Sequence, residues 1–220
     1  MISFALAAWR DWRDRLAFKS LASAAMACVV AGAFSALAPL VLSGTLAACF
    51  SVGGWFAARR YGPGSWGRER IRGTDIKAAA IAGGVALSGL AGWAVWVVAL
   101  APPAALVAAS WNLGAGRLAS LAFVCLGCWT LALGAGFLAS ATSDSEGEAS
   151  GAWLGAIWML ASAIFPAVRF LNPFLQAWNA VRGGSDGMEL AGAGVQVALG
   201  LLALLAGGAA AVDGRNHDAA

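Results

Sequence analysis

RRYGPGSWGRERIRGTDIK, residues 59–77, is a polar, basic island between two long apolar runs. Six of the 14 Lys and Arg lie in it: Arg59, Arg60, Arg68, Arg70, Arg72 and Lys77. If the flanking runs cross a membrane, the island is a cytoplasmic loop, because basic residues are retained on that side. It is then the natural surface for a soluble partner to grip. The runs on either side decide whether the bilayer is the solvent.

Upstream, residues 20–58 contain no charged residue. That is too long for one span of about 20 residues and about right for two. Pro and Gly punctuate helices, so the break is expected near Ala38-Pro39-Leu40 or Ser43-Gly44. The external connection would be very short. Residues 1–19 read as an amphipathic helix in the interface. Ile2, Ala5, Trp9, Trp12 and Leu16 form one apolar stripe, and Arg10, Asp11, Arg13, Asp14 and Arg15 fall largely elsewhere. Two tryptophans with arginines suit the headgroup level of membrane lipid. The alternative is a plain cytoplasmic extension of the first span. The N-terminus lacks the basic start, apolar core and cleavage site of a signal peptide, so targeting is expected to reside in the spans.

Downstream, Gly62-Pro63-Gly64-Ser65 turns the chain, and a short helix is expected over residues 66–72. Gly73 ends it, and Thr74 caps the next helix with Asp75 in its first turn. A third span covers residues 78–100, ended by Pro102-Pro103, with a loop or half-helix over 104–116. A fourth covers 118–140. The small, acidic stretch ATSDSEGEASG occupies 141–151. A fifth span starts at Ala152 and breaks up near Phe165-Pro166, and the segment to Met188 reads as an amphipathic loop. A sixth covers 190–212, and residues 213–220 are a polar cytoplasmic tail. The expected fold is therefore an all-α integral membrane protein. Six transmembrane helices fill residues 20–212, behind the interfacial helix.

Composition agrees. The 220 residues are 60% hydrophobic and 11% charged, against about 25% charged in a soluble domain. With both termini in the cytoplasm, only Arg117, Arg169 and Arg182 fall outside, an asymmetry that favours this orientation. The expected location is the inner or plasma membrane. A net charge of +3 does not mark a nucleic-acid binder, because the basic residues sit beside apolar spans. Cys28, Cys49, Cys125 and Cys128 all lie in apolar runs and read as buried thiols. Cys125-x-x-Cys128 has metal-like spacing, but one pair in an apolar helix is a weak signal.

The middle of each span lacks Asp, Glu, Lys, Arg and His. Ion-coupled transporters and pumps usually keep such groups at depth, and hydrolases need a base or paired acids. No catalytic residue, metal site or cofactor is therefore expected. Gly53-Gly54, Gly83-Gly84, Ser88-x-x-x-Gly92 and Gly134-x-Gly136 allow close approach between helices. Trp93, Trp96, Trp153 and Trp158 are candidates to line a route for an apolar substrate, against the plain role of packing and interface anchoring.

With these features in hand, the chain resembles the membrane subunit of an ABC transporter of the ABC-2 permease type. Arg68-Glu69-Arg70-Ile71-Arg72-Gly73-Thr74 is similar to the family's acidic-basic run ending in Gly-Thr. That run follows span two and forms the coupling helix against the ATPase. The N-terminal amphipathic helix looks like the family's connecting helix. The acidic loop over residues 143–148 and the break from Phe165-Pro166 to Asn172-Pro173-Phe174 resemble the later parts of the family pattern. Ile71 stands where a second acidic residue is common and Asp75 where an apolar one is usual. No proline follows Gly73-Thr74.

The resemblance implies a permease subunit with Arg68, Glu69, Arg70, Arg72, Gly73 and Thr74 at the coupling surface. It also implies a second copy or a paralogous permease. Because the chain has no Walker motif, the ATP-binding cassette subunit must be a separate protein. The haem-exporter subunit of cytochrome c maturation has a similar size and span number. A membrane scaffold or assembly factor is the alternative from another class.

Overall fold

In a bilayer every backbone N–H and C=O must find its partner within the chain, so apolar runs of this length fold as helices. The computed structural model describes residues 30, 38–58, 76–142, 162, 164–183 and 187–218. Helix α1 spans Ala38–Ala58, α2 Ala78–Ser110, α3 Ala115–Thr142, α4 Pro173–Arg182 and α5 Met188–Asp218. A 3-10 segment, Pro166–Leu171, precedes α4. Helices α1, α2, α3 and α5 are long and apolar enough to cross a membrane. Among the described residues the architecture is all-helical, and these four helices point to a membrane protein. The expected interfacial helix over 1–19, the island from 59 to 75 and the acidic loop lie outside the described residues. So do most of spans one and five.

Helix α3 is the centre. Its most extensive partner is α5, followed by α1. Small residues set both seams. Gly127 and Gly134 are one heptad apart on α3, and Ala193, Gly200 and Gly207 are one heptad apart on α5. A Cβ on Gly127 would meet Ala193 O at 2.9 Å, and one on Gly134 would meet the carbonyl of Gly200, with its Cα at 3.0 Å. Gly207 faces Phe137 and Leu138. Residue numbers rise together along this seam, so α3 and α5 run parallel. Residues seven apart keep facing the same neighbour when helices cross at a shallow angle.

The α1–α3 seam is also parallel. Gly54 lies against Trp129 O and Ala132, while Gly136 lies against Trp55 and Ala58. Of the Gly-x-Gly pair on α3, Gly134 therefore serves α5 and Gly136 serves α1. Helix α2 runs the other way: Gly89 faces Leu133, and Ala78 faces Gly208. One end of the bundle accordingly holds Ala58, Ala78, Leu138 and Gly208. The other holds Pro39, Trp111, Val181 and Arg182.

Three local expectations change. First, Pro102-Pro103 does not end the third span: α2 continues unbroken to Ser110. The two prolines remove two amide donors, which membrane helices tolerate where neighbouring elements or local 3-10 adjustment take up the freed carbonyls. The stop comes at Trp111-Asn112. There Asn112 takes φ 50, and Leu113 N–H reaches Ala108 O at 2.9 Å. This is a Schellman end with Asn in the left-handed position.

Second, Ser43-Gly44 sits inside α1, with Ser43 Oγ bonded back to Leu40 O at 3.1 Å. Pro39 stands in the first described turn instead. Third, the expected loop before Met188 contains a helix. Asn172 caps α4, its Oδ1 accepting from the N–H of Phe174 at 3.0 Å and Leu175 at 3.2 Å. Pro173 follows at the first helical position, where a missing N–H costs nothing. Gly183, at φ 76, closes the helix.

Candidate functional site

The two glutamines of the chain, Gln176 and Gln196, are both buried, and both reach the 3-10 segment. Gln196 Nε2 donates to Leu171 O at 2.7 Å. Gln176 Nε2 donates to Phe170 O at 2.7 Å. A short 3-10 turn leaves carbonyls without helical partners, and at membrane depth each such group costs several kcal/mol. The two side chains satisfy them. Asn172 adds a third amide, donating from Nδ2 to Ser162 Oγ at 3.1 Å while capping α4.

Local sequence makes room for this cluster. Gly192 lies directly against Phe170 O and the Gln176 amide, so any larger residue there would displace both. On the far side, Gly127 leaves 2.9 Å between its virtual Cβ and Gln196 Oε1. Cys128 Sγ points at the same oxygen at 3.9 Å, a weak thiol donor. Gln176 Oε1 is buried with no hydrogen-bond partner among the described residues. All members are neutral. The cluster is able to hold an interrupted chain and to offer one acceptor. It is not able to relay protons or bind an ion by charge.

The sequence-derived site residues are placed unevenly. Trp96 is 1% exposed and belongs to an aromatic group. Phe50 lies 6.4 Å from Trp96 and 6.2 Å from Trp129, the latter pair edge-on. Gly53 makes this possible, since its virtual Cβ is 2.6 Å from Trp129 Cζ3 and 3.1 Å from Trp96 Nε1. Trp93 is half-buried one turn away on α2, its Nε1 buried without a partner among the described residues. Trp153, Trp158, Arg68, Glu69, Arg70, Arg72, Gly73 and Thr74 lie outside the described residues. Cys125 and Cys128 are buried thiols one turn apart on α3. Among the described residues, no three His, Cys, Asp or Glu converge as metal ligands would.

Sequence reasoning read Asn172 only as part of a break and passed over Gln176 and Gln196, because at membrane depth it weighed charged groups and not neutral amides. The signal was present: the two glutamines stand in otherwise apolar surroundings, next to a Pro-containing break. Compared with family models, with curated proteins and with solved structures, the chain matches none.

Proposed function

We propose that the chain is the membrane-spanning permease subunit of an ATP-driven transporter of the ABC-2 type. It would have six spans and cytoplasmic termini in the inner or plasma membrane, and it would move a hydrophobic substrate. Helix direction is the observation that carries this reading. Because α3 and α5 run parallel, residues 143–187 lead the chain back to the other end of the bundle, which supports a fifth span there. Antiparallel α1 and α2 bring both ends of residues 59–77 to one face, where a soluble motor would press.

The described charged side chains Lys77, Arg117, Arg169, Arg182 and Glu189 lie at or near helix ends, and Asp213 lies in the last turns of α5. Driving force is therefore sought outside the spans. In this reading Arg68, Glu69, Arg70, Arg72, Gly73 and Thr74 meet a separate ATP-binding cassette subunit. A second copy or paralogous permease completes the pathway, and closure of the motor switches access by rigid-body motion. In this reading Trp93, Trp96, Trp153 and Trp158 are the candidates to line the substrate route.

The test is a gentle-detergent pull-down of the tagged chain, with ATPase activity assayed on the eluate. A stoichiometric ATP-binding subunit is expected, and Glu69→Lys with Arg70→Glu should release it while leaving membrane insertion intact. A chain that elutes with membrane partners and no ATPase overturns the proposal in favour of a scaffold.

A further inference from the structure

Sequence alone leaves three basic residues at the end opposite the island. The fold brings two of them together. Arg117 starts α3 and Arg182 ends α4, and both line one cavity of about 310 Å³ with Trp111, Trp178, Leu40 and Pro39. The volume is at the lower end of ligand pockets, which span roughly 300–1,000 Å³. Among the described residues, no acidic residue lines it.

Each arginine is held in place. The Arg182 guanidinium lies over the Trp178 ring at 4.7 Å, an attraction that fixes the plane of the fork. Arg117 Nη1 donates to Val181 O at 3.5 Å. The rest of its guanidinium packs on Gly183, where a Cβ would sit 2.8–2.9 Å from Nε, Cζ and Nη2. A guanidinium carries five N–H donors, so one long bond leaves most of them to be satisfied. Two preset guanidinium groups in one cavity match the oxygens of a phosphate better than any neutral group. The remaining walls are apolar and open sideways: Leu40 and Trp111 are both exposed. An apolar flank beside a basic floor suits a molecule with an acyl or glycerol part.

We propose that this cavity binds a phosphate group, carried by an anionic phospholipid whose headgroup sits between Arg117 and Arg182 and whose acyl part lies along Leu40 and Trp111. The inference goes beyond transport and stands whether or not an ATPase partner exists.

The experiment is native mass spectrometry of the purified full chain exchanged into detergent with phosphatidylglycerol or phosphatidylcholine. A parallel arm follows tryptophan emission during titration with inorganic phosphate. Retained phosphatidylglycerol is expected, with little phosphatidylcholine. R117Q/R182Q should weaken retention by roughly tenfold or more, the scale of lost charge-assisted hydrogen bonds.

Because Arg117 also braces Gly183, R182Q alone is the second variant. Arg182 is exposed and its described contact is with Trp178 of its own helix, so its loss should weaken retention without lowering thermal stability. R182K should restore part of the binding. A response to inorganic phosphate that R182Q abolishes, without lipid selectivity, would keep the phosphate chemistry and reject the lipid as its source. Equal retention of both lipids by wild type and R182Q, with no response to phosphate, overturns the proposal.

Discussion

Helices α2 and α3 are nearly indistinguishable as strings of residues. Their mean hydropathies over the best 18-residue window are 1.9 and 2.0, and both are long enough to span. Yet 56% of that window is buried in α3 and 28% in α2. The difference lies in what their glycines meet. On α3, Gly127 and Gly134 abut the backbone of α5, and Gly136 abuts α1. On α2, the described contact of Gly89 is chiefly with a side chain, Leu133 Cδ2, while Val98 is 73% exposed. In lipid there is little hydrophobic gain from bringing helices together, so close backbone approach decides which helix becomes the centre.

The comparison is open to direct attack. The largest effect should come from Gly134→Ala. Its new methyl would press on the Gly200 carbonyl, which cannot swing away, so the α3–α5 seam must open. We expect a loss of about 3 kcal/mol, the upper part of the overpacking range, read as a drop in thermal midpoint in detergent. An unchanged midpoint would mean that α3 and α5 do not touch there.

Gln196→Leu comes next. It strands Leu171 O without its 2.7 Å partner, and a buried carbonyl left so costs about 2 kcal/mol. Steric trapping or denaturant titration in mixed micelles would read this. A neutral result would remove the amide cluster from the account of the break after residue 165.

Gly89→Ala should be milder, about 1 kcal/mol, because a leucine tip rotates aside where a carbonyl does not. If Gly89→Ala proved as damaging as Gly134→Ala, the claim that backbone contact sets the centre would fail. The smallest effect belongs to Val98→Ala on the outer face of α2, within about 0.5 kcal/mol of wild type. A large loss there would place an unseen partner on that face, as a second copy of the chain would do.

Much of the helical layout was legible in the residues. Charge-free runs marked the four long apolar helices that are described, the Gly53-Gly54 and Gly134-x-Gly136 pairs marked the seams, and Asn172-Pro173 marked a break. What misled was treating Pro102-Pro103 as a stop. Proline removes a donor and crowds the preceding turn, but a membrane helix can continue where its neighbours take up the freed carbonyls, and α2 is read as lying in lipid. The candidate site was less legible. Gln176 and Gln196 are 20 positions apart, and nothing local says that both will reach one 3-10 turn. Arg117 and Arg182 are more distant still, and only their shared cavity pairs them.

By itself, then, the sequence determined that this chain folds as apolar helices with its basic residues gathered mainly in one island. Hydrogen-bond accounting in lipid allows helices or closed barrels, and apolar runs of this length select helices. The tertiary structure decided which helix stands at the centre, which carbonyls the two glutamines satisfy, and which arginines share a cavity. Those outcomes depend on the facing of side chains from distant segments. No periodicity within one segment encodes that, because each helix reports only its own hydropathy and not the neighbour it will meet.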